Sequence, residues 1–126
     1  MSLRRLQVRA ATASKLERDD KPSLLASFTI ERVDETGLER GFFLIAQWRT
    51  DNRGYEPVFV WEHQAASEVE GQVLDLVDNM DIDRDGVHEV VTRLAFYENY
   101  KYEIYKKDKV TRAWRKVFET RILGCL

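Results

Sequence analysis

Apolar and polar side chains alternate with a period of two through most of this sequence, and no stretch sustains helical periodicity beyond about two turns. In residues 24–32, Leu24, Ala26, Phe28 and Ile30 share one face while Ser27, Thr29 and Glu31 occupy the other, the pattern of a half-buried strand. Asp34, Glu35, Thr36 and Gly37 then signal a turn. Residues 42–50 are more apolar: Phe42, Leu44, Ala46 and Trp48 face one way, Phe43 and Ile45 the other. A central strand covered on both faces is expected there. Asp51, Asn52, Arg53 and Gly54 make the next turn, and a strand over 58–63 follows with Pro57 at its first position.

Further along, 65–70 is a short acidic connector with room for one helical turn, and 72–77 reads as a strand. After a loop over 78–89 come strands at 90–97, with Val90, Thr92, Leu94 and Phe96 inward, and at 100–106, with Tyr100, Tyr102 and Ile104 on one face. Residues 110–122 place Trp114, Phe118 and Ile122 on one side. At the start, Leu6, Val8 and Ala10 alternate as a further strand, and 14–23 is a polar loop. The expected fold class is all-β: an antiparallel meander, twisted sheet or sandwich of about eight strands with blade-like hairpins. One domain spans 1–126, with 1–23 partly a loose N-terminal arm. The hairpin at 42–63 is echoed at 90–106; this spacing suits repeated four-stranded blades, although two units cannot close a propeller.

Composition sets the outer bounds. With 126 residues, 44% hydrophobic and 33% charged, the chain can build a core, and no apolar run reaches the roughly 20 residues of a membrane span. One cysteine, Cys125, excludes an internal disulfide framework, and two histidines, His63 and His88, argue against a multi-histidine metal centre. The net charge of −2 is unevenly spread: residues 51–90 carry 2 basic and 11 acidic side chains, residues 91–126 carry 9 basic and 4 acidic. The acidic middle repels nucleic acid and attracts cations. The basic end alternates with aromatics as a solvated strand face, so no nucleic-acid partner and no membrane insertion are expected.

The most specific stretch is Asp81, Ile82, Asp83, Arg84, Asp85, Gly86, Val87, His88, Glu89. Carboxylates stand at positions 1, 3, 5 and 9, with glycine at position 6. Calcium takes six to eight oxygen ligands, and a tightly coiled loop points side chains 1, 3 and 5 at one centre while the residue after the glycine turns its carbonyl inward. In this loop that carbonyl belongs to Val87, and Glu89 closes the loop from the start of the following strand; the same aspartates and glycine also fit an ordinary solvated turn without a metal. Magnesium prefers to keep its waters and has less use for such a cage. A helical calcium hand would need a glutamate at position 12, where Thr92 stands inside a β-patterned run, so the loop should bridge two strands.

Residues 76–91, which end in DIDRDGVHEVV, resemble the calcium loop of FG-GAP/VCBS-type β repeats, in which Asp-x-Asp-x-Asp-Gly-x-x-Asp leads into an apolar strand. The resemblance implies Ca2+ as the cofactor, with Asp81, Asp83, Asp85 and Glu89 as side-chain ligands and Val87 through its carbonyl, and it departs at two positions. Arg84 stands where glycine is usual, which costs something if its φ is positive, and Glu89 replaces the commoner aspartate.

The expected task is recognition: a non-enzymatic, calcium-stabilised β module for a protein or glycan partner, as part of a larger protein or alone. Tyr100, Tyr102 and Trp114 are expected in the core, with Tyr97 and Tyr105 as a patch on the opposite face. One alternative is a metal-free intracellular protein-interaction domain. Another is a carbohydrate-active domain using the exposed tyrosines with Glu98, Glu103, Asp75 and Asp78 as acid pairs. Met1, Ser2 and Leu3 precede no apolar stretch, so no signal peptide is visible. The site is extracytoplasmic if the family resemblance holds and cytoplasmic if the chain is full length as written. Extracellular calcium modules bind at about 10⁻⁴–10⁻³ M, so compartment decides occupancy.

Overall fold

The structure, a computed structural model, describes residues 4–17, 21–32, 38–65 and 70–124. The expected turn at 34–37, most of the connector at 65–70 and Cys125 lie outside the described residues. Nine strands run in chain order: β1 (Arg4–Ser14), β2 (Ser23–Arg32), β3 (Leu38–Trp48), β4 (Tyr55–Gln64), β5 (Val73–Met80), β6 (Glu89–Ala95), β7 (Asn99–Lys107), β8 (Trp114–Glu119) and β9 (Leu123–Gly124). There is no helix among the described residues, hence none long enough to cross a membrane. The first four strands form one antiparallel sheet in the order β1-β2-β3-β4, and the next four a second in the order β5-β6-β7-β8, with β9 added beside β7. The all-β, antiparallel expectation holds. The internal echo is not positional: β3 and β4 close the first sheet, whereas β6 and β7 lie in the middle of the second.

The sheets pack face to face. Leu25, Phe43 and Ile45 of the first meet Leu74, Val90, Leu94, Tyr105 and Trp114 of the second, and the rings of Phe59 and Tyr105 touch with centroids 4.8 Å apart. Leu16, in the connector between β1 and β2, is fully buried in this core, although its surroundings in sequence are polar. Contact between the sheets is close enough to require glycine at 41, because a Cβ there would stand 2.4 Å from the Gln72 carbonyl oxygen. Polar groups staple the interface as well. Ser27 Oγ donates to the Leu74 carbonyl at 2.7 Å, and the Arg9 guanidinium grips Asp75 through two 3.0 Å bonds. The buried Lys107 ammonium bonds Glu17 and Gln47.

The orientation of β2 is the reverse of the expected one. Ser23, Leu25, Ser27 and Thr29 face the second sheet, and the more apolar row of Leu24, Ala26, Phe28 and Ile30 faces away from it. The same holds for β3: Phe43 and Ile45 are buried, while Phe42 and Leu44 are only half-buried, so the strand is covered on one face rather than two. Alternation identifies two faces, but not which of two partly apolar faces finds a partner. On the outward face Phe28 and Phe42 stack with centroids 5.0 Å apart, flanked by Leu6 and Val8 of β1, 62% and 61% exposed, and Val60 of β4. The strand expected from Leu6, Val8 and Ala10 is present as the 11-residue β1, paired along β2.

Register shifts account for the other departures. Between Ile104 and Tyr105 of β7 the pairing with β8 skips Val117, so Trp114 is buried while Phe118, four residues on, is 56% exposed on the opposite side. The strand expected over 110–122 begins only at Trp114, because Asp108 caps a turn by accepting from the Val110 and Thr111 amides. Pro57 lies within β4, next to a register shift, rather than at its first position.

Candidate metal centre

The loop 81–88 joins β5 to β6 as a β-to-β connection, as the sequence pattern requires. Its backbone is wound around its own carboxylates. Asp81 accepts from the Asp85 amide through Oδ1 at 3.1 Å and from the Gly86 amide through Oδ2 at 2.9 Å. Asp83 Oδ1 accepts from the Asp85 amide, and Asp85 Oδ1 from the Val87 amide at 3.0 Å. Two residues with positive φ make this coil possible: Gly86 at 90° and Arg84 at 60°. Arg84 therefore adopts the left-handed conformation expected to disfavour a side chain there.

The loop is anchored on both flanks. Val87 forms an isolated antiparallel bridge with Glu17, and the His88 amide donates to the Leu16 carbonyl at 2.8 Å. His88 is half-buried, and its Nδ1 pairs with Asn79 Oδ1 at 2.8 Å. Glu89, the first residue of β6, is 3% exposed. Its Oε2 accepts from the Ile82 amide at 2.6 Å, and its Oε1 is buried without a hydrogen-bond partner.

Asp81, Asp83, Asp85 and Glu89 each offer an oxygen within 4.8 Å of the other three, so the cluster can hold a metal ion. Lys106 of β7 reaches into the same space: its ammonium bonds Asp83 Oδ2 and lies 3.4 Å from Asp85 Oδ2 and 3.8 Å from Glu89 Oε1. The Lys106 bond holds Asp83 down to about 2, and Asp83 in turn raises the Lys106 ammonium above its ordinary value. Burial pushes the Glu89 carboxyl up, partly countered by the Ile82 amide. Pattern reading missed Lys106. The signal was present in its strand parity, since it follows Tyr105, the partner of Val90, and so lands beside Glu89.

The aromatic and acidic groups weighed earlier are distributed differently. Tyr105 is buried and donates to Glu103 Oε1 at 3.0 Å, which removes it from the expected exposed patch. Tyr100 and Tyr102 are half-buried outside the core, edge to face with centroids 5.7 Å apart, and Arg93 lies over the Tyr100 ring. Tyr97 is exposed at the mouth of a shallow hollow of about 460 Å³ lined by Arg93, Phe96, Glu98 and Tyr100. Glu103 is buried and bonded by Tyr105 and Lys116, whereas Asp75 is held by Arg9 and Ser27. The strand register puts Glu103 level with Leu76 and Asp75 level with Tyr102, in oppositely facing rows. His63 stacks on Trp61 and bonds the Glu70 carbonyl, a partly buried structural role. No protein-family model, no curated protein and no solved structure matches this chain.

Proposed function

We propose that this chain is a non-enzymatic β module in which one calcium ion, held by Asp81, Asp83, Asp85 and Glu89 with the Val87 carbonyl, fixes the 81–89 loop and thereby the start of β6. The observation that carries the reading is Glu89 Oε1. A buried carboxylate oxygen lacking a hydrogen-bond donor is costly, and a cation at the convergence of the four carboxylates would satisfy it. The charge argument agrees. Two carboxylates 4 Å apart repel by about 4 kcal/mol at an effective dielectric of 20, so four converging groups favour a multivalent cation. Oxygen-only ligands suit calcium better than zinc, which favours nitrogen and sulfur, and magnesium prefers to keep its waters.

The module's task, on this reading, is recognition of a protein surface. The outward face of the first sheet supports a protein over a glycan: its Leu6, Val8, Phe28, Phe42 and Val60 present aliphatic and stacked aromatic groups, bordered by the Arg40–Glu62 ion pair. Thermal unfolding in millimolar calcium and in chelator tests the metal half. At 100 times the dissociation constant, binding adds about 2.7 kcal/mol, a shift of several degrees, and Asp83→Ala abolishes the difference. Identical melts in calcium and chelator would remove calcium from the account.

A further inference from the structure

Five carboxylate oxygens of the loop are taken by its own backbone: both oxygens of Asp81, Oδ1 of Asp83, Oδ1 of Asp85 and Oε2 of Glu89. The three that remain, Asp83 Oδ2, Asp85 Oδ2 and Glu89 Oε1, all face the Lys106 ammonium. One tethered positive charge therefore sits where the free oxygens converge. Calcium needs those oxygens at about 2.3–2.6 Å, a distance that leaves no room for an ammonium between them. We propose that Lys106 is the resident counter-ion of the 81–89 loop and that a divalent cation binds by displacing its side chain. The inference rests on the calcium reading and adds to it what sets the site's affinity and selectivity.

Displacement needs no movement of β7, because the Lys106 side chain is about one-third exposed and its long stem can swing into solvent. Sodium or potassium brings no more charge than the ammonium it would replace, and it must also overcome the high effective concentration of a tethered group. A divalent ion brings twice the charge. Lys106 thus weakens calcium binding and suppresses monovalent binding. Lys109 is the built-in control: it donates to the Asp85 carbonyl at 3.1 Å and stays 3.8 Å from Asp85 Oδ2 at the exposed rim.

Calorimetric calcium titration of the full chain, of Lys106→Gln and of Lys109→Gln at about 0.15 M potassium chloride tests this. Removing the resident ammonium should tighten calcium binding roughly tenfold, the scale of one partly buried charged hydrogen bond. Lys109→Gln, the same change in net charge, should shift it by no more than two- to threefold, as an exposed pair does. In the wild type, the Lys106 side-chain NMR resonance should follow the calcium titration. Equal affinities for wild type and Lys106→Gln, equal gains for the two variants, or a Lys106 resonance that stays put while calcium binds would overturn displacement and leave the calcium reading standing. Failure of every form to bind at about 10 mM calcium, above the range of weak protein sites, would overturn both.

Discussion

The Ile82 amide donates a 2.6 Å hydrogen bond to Glu89 Oε2, and the same buried carboxylate keeps its other oxygen free of any hydrogen-bond donor. The first residue of β6 thus closes the loop with one oxygen and offers the second to the cluster.

Glu89→Gln separates these roles. The amide oxygen can still accept from Ile82, while one ligand charge is lost. Unpairing a buried charge is costly and neutralising it often is not, so the variant should keep its stability in chelator to within about 1 kcal/mol. In calcium it should lose the stabilisation seen for the wild type. Denaturant unfolding under the two conditions checks both halves.

Gly41→Ala should destabilise the protein by about 1–3 kcal/mol, the range for overpacking a core. The added Cβ meets the Gln72 carbonyl at 2.4 Å and the Trp61 ring at 3.3 Å. Backbone and a packed indole cannot yield cheaply, so β3 and the segment leading into β5 must move apart. The midpoint of urea unfolding reads the effect directly.

Acid should lower the protein's stability in a defined window. The bond from Lys106 holds Asp83 at about 2, and those from Lys101 and Lys116 hold Glu119 at about 2. Both are depressed, so their contribution is present above the ordinary carboxylate range and is lost as pH falls from about 4.5 towards 2. Both are partly exposed and salt-screened, so each slope is shallow. Glu89 has the opposite sign: burial raises it, and the native state gains as pH falls through that raised value. Stability measured from pH 6 to pH 2.5 should fall less steeply in Asp83→Asn with Glu119→Gln.

The outward face of the first sheet predicts a surface effect without a folding effect. Val8→Glu with Val60→Glu changes two residues that are more than half exposed, so the melting temperature should move little. Binding of a hydrophobic dye to the native protein should drop sharply. Dye binding that is unchanged would show that this face is not the accessible apolar surface.

Much of this was legible in the sequence, for identifiable reasons. Alternation located the strands, and the 1-3-5-6-9 spacing located the loop, because both depend on local geometry. Three features were not legible. The skip at Val117 turns Phe118 away from the side of Trp114, and no local pattern marks a bulge. Leu16 is a lone apolar residue in a polar connector, buried only because the connector crosses the edge of the core and bridges to Val87. The inward face of β2 meets partners far along the chain: Ser27 bonds the Leu74 carbonyl 47 residues away, and Leu25 joins the core shared with the second sheet. Lys106 belongs with these long-range effects, since only the pairing of β6 with β7 brings it to Glu89.

A crystal structure of the chain grown in saturating calcium tests the central claim most directly. It should show a strong peak bound at about 2.3–2.6 Å by Asp81, Asp83, Asp85, Glu89 and the Val87 carbonyl, with the Lys106 ammonium swung clear. A water molecule, or the Lys106 ammonium itself, at that point under saturating calcium would contradict it.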